Sequence, residues 1–109
     1  MMSDERRQDP RKTLRTLATV RVGRQAFQVR TLDISASGVA IVAAVNPPAG
    51  MQLELEFLVP GRKGVVPVRV RGQVMHSVLC GAENGFRVGV AFRELDAAGR
   101  RAIEAYLRG

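Results

Sequence analysis

The stretch LELEFLVPGRKGVVPVRVR, residues 53–71, contains two runs of alternating apolar and polar residues, separated by the segment PGRKG. Alternation with a period of two gives a β-strand one apolar face and one polar face. Proline and glycine in the segment between the runs favour a turn. The stretch therefore predicts two strands joined by a turn, with one face of each strand directed toward a core.

The same alternation recurs elsewhere along the chain. Further runs of this kind span residues 20–22, 27–29 and 86–93. Segments suited to turns lie at 22–25, 46–50 and 81–85. The pattern predicts about six short antiparallel strands, and such strands usually form a small barrel or sandwich because closure removes exposed edges. We therefore expect an all-β domain.

The two ends of the chain lack this alternation. Residues 1–12 are almost entirely polar and include Pro10, so we predict a flexible basic arm that has too little apolar surface to fold by itself. After Asp96, a residue type that caps helices, the apolar residues fall at helical spacing and predict a short amphipathic helix. We therefore divide the chain into the arm at 1–12 and one domain at 13–109, whose helix covers a side or an open end of the barrel.

Composition limits the classes of function. The chain carries 17 Lys and Arg against 10 Asp and Glu, a net charge of +7, so a charged partner is expected to be anionic. The single cysteine and single histidine offer neither a disulfide nor metal-type spacing, and they make catalysis unexpected. The longest apolar run, residues 39–45, is far shorter than the roughly 20 residues of a membrane helix. We expect a cytoplasmic, non-enzymatic protein with no metal and no membrane insertion.

The predicted arm holds the first group of candidate binding residues. Its segment ERRQDPR, residues 5–11, contains Arg6, Arg7 and Arg11. Guanidinium groups can grip phosphate in a bidentate manner, stack on a base, or bond the O6 and N7 edge of guanine. Taken alone, a charged terminal segment is more often simply solvated.

The segment DISASG, residues 33–38, holds the second group. Asp33 and Ser35 belong to residue types that cap backbone groups in turns, and Gly38 can adopt a positive φ or admit a close approach to the main chain. Taken alone, the segment is a turn between two strands. Together with the arginines it offers a different chemistry, because a carboxylate matches the N1 and N2 donors of guanine while the arginines match phosphate.

The two segments together resemble the PilZ domain family. The RxxxR motif of that family is matched by Arg7 and Arg11, and its [D/N]xSxxG motif by Asp33, Ser35 and Gly38. The segment FRVGVAFREL followed by a short helix is also similar to the usual end of a PilZ domain. The resemblance covers nearly the whole chain, from residue 5 to about residue 107.

The resemblance implies a six-stranded antiparallel β-barrel with a C-terminal helix that binds the bacterial second messenger cyclic di-GMP as a ligand and needs no cofactor. It implies that Arg7 and Arg11 contact the phosphates and guanine faces of the ligand. It also implies that Asp33 and Ser35, held by the turn at Gly38, form hydrogen bonds with a guanine.

Two further positions acquire a meaning from the resemblance. An arginine directly before the RxxxR motif often accompanies the binding of two intercalated ligand molecules, so Arg6 predicts a dimeric ligand. Many relatives carry a tryptophan near the end of the fifth strand, where this chain offers His76. We therefore expect at most a minor stacking contact from His76.

The function predicted is that of a cyclic di-GMP receptor or adaptor, whose arginine arm becomes ordered over the ligand and which signals through an unidentified protein partner. One alternative is a small nucleic-acid-binding barrel, which the positive charge favours. The absence of Trp and the presence of only one Tyr and four Phe argue against it, because single-strand binders depend on aromatic stacking. We therefore expect no nucleic-acid partner. Another alternative is a PilZ-like interaction module that no longer binds the ligand.

Overall fold

The computed structural model describes residues 9–109, which form seven strands and one α-helix. The strands are β1 (Lys12–Thr13), β2 (Leu17–Val22), β3 (Gln25–Ile34), β4 (Gly38–Ala43), β5 (Gln52–Gly61), β6 (Gly64–Cys80) and β7 (Gly85–Leu95). A 3₁₀ turn at Gly81–Glu83 joins β6 to β7, and helix α1 spans Ala97–Arg108. The first eight residues of the predicted arm, which include Arg6 and Arg7, lie outside the described residues.

The strands pair in the order β1-β3-β2-β5-β6-β7-β4, and an additional pairing between β3 and β4 closes the sheet. Six strands, β2 to β7, thus form a closed antiparallel barrel, while the two-residue strand β1 pairs with the end of β3 at Ile34 and Asp33. The predicted fold class is confirmed. Closure leaves most strands paired on both sides, which satisfies their backbone hydrogen-bonding groups.

The hairpin of residues 53–71 forms as the alternation predicts. In β5 the buried residues are Leu53, Leu55, Phe57 and Val59. They lie opposite residues of β6 in a regular register, from Gln52 against Gln73 to Gly61 against Gly64. The intervening charged residues point outward, so this hairpin contributes one side of the main hydrophobic core.

Helix α1 begins at its predicted cap and covers the barrel. The side chain of Asp96 accepts a hydrogen bond from the backbone N–H of Gly99 at 2.7 Å, which satisfies one of the free donors of the first turn. Ile103 is buried in the barrel core, and the helix packs on β5 and β6. Among residues 9–109 no helix is long and apolar enough to cross a membrane.

The helix also anchors the start of the domain. Lys12 donates a hydrogen bond from Nζ to the backbone oxygen of Tyr106 at 2.9 Å, and its ammonium group lies 4.2 Å from the centre of the Tyr106 ring. The Tyr106 hydroxyl donates to the backbone oxygen of Thr13 at 2.5 Å. These contacts hold β1 between α1 and β3, and they fix the backbone that directly follows Arg11.

One residue that the alternation places on an apolar strand face is exposed in the structure. The alternation placed Phe27 on an apolar strand face, but its exposed fraction is 49%. The reason is that β4 pairs with β3 only from Arg30 onward. Residues 25–28 of β3 are therefore paired with β2 alone and have no neighbouring strand to cover them.

Candidate functional site

The turn between β3 and β4 is built around the side chain of Ser35. Ser35 is fully buried, and its Oγ accepts hydrogen bonds from the backbone N–H groups of Gly38 at 3.2 Å and Ser37 at 3.3 Å. The backbone N–H of Ser35 donates to the backbone oxygen of Gly38 at 2.8 Å. The hydroxyl predicted to face a ligand thus holds the turn together.

Gly38 permits a close approach, but the approaching group belongs to the protein. A Cβ atom at this position would lie 2.5 Å from the backbone oxygen of Val90 in β7, a separation that no side chain tolerates. Its backbone does not adopt the left-handed conformation, which is found at Gly23, Gly50 and Gly64. The glycine is therefore needed for the packing of β4 against β7.

Asp33 lies at the end of β3, where two arginines share its carboxylate. Arg11 donates from Nε to Oδ1 at 2.6 Å, and Arg87 donates from Nη2 to Oδ2 at 2.7 Å. Burial, the largest single influence, raises the pKa of Asp33, but the hydrogen bonds and charges of Arg87 and Arg11 together outweigh it, so the pKa is lowered. Asp33 is therefore a carboxylate at neutral pH, with one oxygen toward each arginine.

Arg87 was not among the predicted site residues. It stands on β7, opposite Val42 of β4, while Asp33 stands opposite Ala40 of the same strand. The alternation of β7 does place Arg87 on the outward polar face. That signal becomes informative only with the strand order β3-β4-β7, because 54 residues separate the two partners in sequence.

A shallow cleft of about 300 Å³ lies beside these charges. It is lined by residues of β4, β6 and β7 together with Arg11, among them Gly38, Ala40, His76, Arg87 and Gly89. Across the sheet, Asp33, Ala40, Gly89 and His76 face one another in register on successive strands. At about 4.8 Å per strand, Asp33 and His76 stand roughly 14 Å apart, with two residues of small side chain between them.

The His76 ring lies directly over Gly89. A Cβ atom at Gly89 would be 2.4 Å from Cε1 of the imidazole, so the ring occupies the space that a side chain on β7 would fill. Gly89 is a second contributor that sequence reasoning missed. The predicted minor site residue thus forms the wall of the cleft farthest from Asp33.

The structure brings together Arg11, Asp33, Ser35 and Gly38, as the motif predicts. Arg11 also approaches Ser35, with Nη1 3.4 Å from Oγ. The described part of the arm meets the same turn, because the Ser37 hydroxyl donates a hydrogen bond to the carboxylate of Asp9. Arg6 and Arg7 lie outside the described residues. Among residues 9–109 no group of three or more side chains is arranged to hold a metal ion.

Comparison with known families identifies the domain. The family model described as PilZ domain matches residues 5–109. The chain belongs to the PilZ domain family. The predicted family is confirmed, and the match includes the whole site described above. A comparison with curated proteins finds no match.

Solved structures show the same PilZ fold at low sequence identity. The Bacillus subtilis inhibitor of motility MotI/DgrA matches with a TM-score of 0.81 and 16% identity, over 93% of this chain and 49% of that one. The PilZ domain of YcgR from Escherichia coli with c-di-GMP matches with a TM-score of 0.65 and 17% identity, over 92% of this chain and 87% of that one. The K. pneumonia MrkH–c-di-GMP complex matches with a TM-score of 0.65 and 16% identity, over 93% and 50%.

This PilZ domain therefore spans about half the length of MotI and of MrkH, and most of the YcgR domain. At these identities the likeness establishes the fold.

Proposed function

We propose that this PilZ domain is a cytoplasmic receptor for cyclic di-GMP, acting as an adaptor without catalysis or cofactor. The observation that carries the proposal is the Asp33 carboxylate, held ionised between Arg11 and Arg87, two arginines that line an open cleft. Two of the solved neighbours, the YcgR domain and MrkH, are described as bound to c-di-GMP. Family membership and this chemistry point to the same anionic guanine ligand.

Asp33 is suited to guanine because a different arginine binds each of its oxygens, so one oxygen can change partner while the other stays bound. Guanine carries an N2 amino donor and an N1 donor, and a carboxylate oxygen accepts such bonds well. In our proposal guanine replaces Arg11 on Oδ1, while Arg87 keeps Oδ2 and prevents the carboxylate from turning. Ser35 then acts as a positioning residue, because its buried hydroxyl fixes the turn that follows Asp33.

Arg11, once released, is free to meet the negative charge of the ligand. A guanidinium group binds phosphate through paired donors and also stacks on a base. A micromolar dissociation constant corresponds to about 8 kcal/mol, and hydrogen bonds to charged groups contribute about 1.5 to 3 kcal/mol each. Four or five such contacts supply this free energy even after the cost of ordering the arm, so we assign Arg6 and Arg7 to the ligand together with Arg11.

The remainder of the cleft provides a floor and a far wall. Ala40 lies in the floor but is itself almost fully buried, and the His76 ring already covers Gly89. A base in the cleft therefore meets the ring of His76, which offers a minor stacking contact. The presence of Arg6 directly before the motif leads us to propose two intercalated ligand molecules. In the proposed response the arm becomes ordered over the ligand, and the changed surface is recognised by a protein partner.

Isothermal titration calorimetry with cyclic di-GMP tests the proposal. Replacing Arg7, Arg11 or Asp33 by alanine is expected to weaken binding at least about tenfold, which is about 1.4 kcal/mol. Arg69→Ala is the matched control, because Arg69 also pairs with a carboxylate but lies on β6 beyond the cleft. Unchanged affinity in both Arg7→Ala and Arg11→Ala would overturn the assignment. Equal affinity of the unmodified protein for cyclic di-AMP would refute the role of Asp33.

A further inference from the structure

The last part of β6 has a neighbouring strand on one side only. The pairing of β5 with β6 ends at Gln73, and the backbone of Gly50 and Met51 then covers Val74 through hydrogen bonds of 2.7 and 2.9 Å. From His76 to Cys80 the strand pairs with β7 alone. Within the part of the chain that the structure describes, the opposite edge of residues 75–80 is therefore open, and alternate backbone N–H and C=O groups point outward there.

This open edge is apolar and carries no charge. Met75, Val78 and Leu79 are exposed by 51%, 60% and 70%. Residues 72–82 contain no Lys, Arg, Asp or Glu, although such residues make up 25% of the chain. Proteins usually protect an exposed edge with a lysine, a proline or a bulge. Here the one irregularity lies between Val74 and His76, and the residues after it follow a regular register.

The other one-sided segment of the barrel provides a contrast. Residues 25–28 of β3 pair with β2 alone, but Arg24 and Arg30 flank them. Two copies of a chain with a net charge of +7 repel each other at such an edge. Residues 75–80 contain no Lys, Arg, Asp or Glu, so the strand itself adds no charge repulsion between two copies.

We propose that residues 75–80 pair with the same residues of a second copy of this chain, in antiparallel orientation about a two-fold axis. A two-fold arrangement needs a surface that is complementary to itself, and an uncharged strand with apolar side chains and free backbone groups meets that need. An acidic partner would find no cation on this strand. Two arginines of β7 lie near the strand. Arg87, opposite Val78, is bound to Asp33, and Arg93, whose Nη2 lies 3.6 Å from Sδ of Met75 at the start of the edge, donates from Nε to Gln73.

The pairing is expected to be weak. Six residues on each side bury much less than the roughly 1,200 Å² of a standard interface, so the dimer should dissociate at low concentration. The proposal goes beyond the proposed function, because the dimer forms without ligand. It places two clefts beside each other, since His76 belongs to both the edge and the cleft.

Sedimentation equilibrium of the full chain without ligand, from about 10 µM to about 1 mM, tests the proposal. We expect a monomer–dimer equilibrium whose dissociation constant rises at least about tenfold in Leu79→Lys and in Val78→Pro. The matched control is Val45→Lys, because Val45 is 68% exposed but lies outside the edge. Far-UV circular dichroism verifies that each variant retains the fold.

Hydrogen exchange gives a second readout on the unmodified protein. Amides of residues 75–80 should exchange more slowly as concentration rises, while those of residues 25–28 should not change. A monomer at all concentrations would overturn the proposal, as would self-association that Val45→Lys weakens as strongly as Leu79→Lys does. Cyclic di-GMP binding is measured separately at low concentration, so failure of the dimer leaves the proposed function standing.

Discussion

The group at Asp33 and the exposed pair on the β5–β6 hairpin are two of the arginine–carboxylate groups of this barrel, and they differ in how far solvent reaches them. At the end of β3, Asp33 is 21% exposed and is shared by Arg11 and Arg87 at 2.6 and 2.7 Å. On the β5–β6 hairpin, Glu56 is 39% exposed and meets Arg69, itself 74% exposed, at 2.8 Å. The distances are nearly the same, so the difference between the two groups lies in their surroundings.

The size of the neighbouring cleft does not distinguish the two groups. Glu56 and Arg69 line a cleft of about 280 Å³, nearly the size of the cleft of about 300 Å³ beside Asp33. There the acids and arginines face solvent, which screens their attraction. Exposed pairs of this kind contribute little to the stability of the fold. At Asp33, partial burial strengthens each hydrogen bond, and the two bonds to Arg11 and Arg87 keep the carboxylate in one orientation. Partial burial of an oriented carboxylate, and not the size of the neighbouring cleft, therefore distinguishes Asp33 from the exposed pair on the hairpin.

The largest expected effect comes from the glycine that places the site turn. Gly38→Ala would force a Cβ atom against the backbone oxygen of Val90, and neither strand can easily yield, so the free energy of unfolding should fall by about 3 kcal/mol. Gly81→Ala is the control, because a Cβ atom there meets nothing within 4 Å. Urea unfolding measures both. Equal stability of the two variants would show that β4 is not locked onto β7.

Removal of Asp33 should have the next largest effect. Asp33→Ala breaks hydrogen bonds from two arginines and should lower the free energy of unfolding by about 2 kcal/mol. Chemical denaturation of this variant beside Glu56→Ala compares the two charge groups directly. If both variants lost the same stability, the distinction drawn from burial would be wrong.

The dependence of stability on pH should follow Asp33. Its pKa is lowered in the folded chain below the ordinary value of 3.8, so its contribution is complete above that value and is lost as pH falls through the folded value. The difference in unfolding free energy between the unmodified protein and Asp33→Asn should therefore be largest at neutral pH and shrink below about pH 4. Denaturation at pH 7 and pH 3 measures it, and a constant difference would contradict the ionised state of Asp33.

The smallest effect is expected on the exposed hairpin. Arg69→Ala should leave the free energy of unfolding nearly unchanged, because solvent already screens its pair with Glu56. Raising the salt concentration should remove any remaining difference. A loss comparable to that of Asp33→Ala would mean that the two charge groups are equivalent after all.

Much of this architecture could be predicted from local patterns. Period-two alternation located the hairpin of residues 53–71 and predicted about six antiparallel strands. Asp96 marked the start of the helix. Alternation placed Phe27 on an apolar face, yet Phe27 is exposed. The alternation of a strand does not show whether a neighbouring strand covers that face. Asp33, Ser35 and Gly38 were found as a turn between two strands, and their match to the family motif marked them as candidate site residues.

Residues close together along the chain specify the strand periodicity, the capped helix, the excess of positive charge and the two motifs of the PilZ family. The site contacts came from the fold: Arg87 holds the second oxygen of Asp33, Ser35 faces its own turn, and Gly89 makes room for His76. These contacts depend on the order in which β3, β4, β7 and β6 lie side by side. That order is set by closure of the whole barrel, and no local segment specifies it.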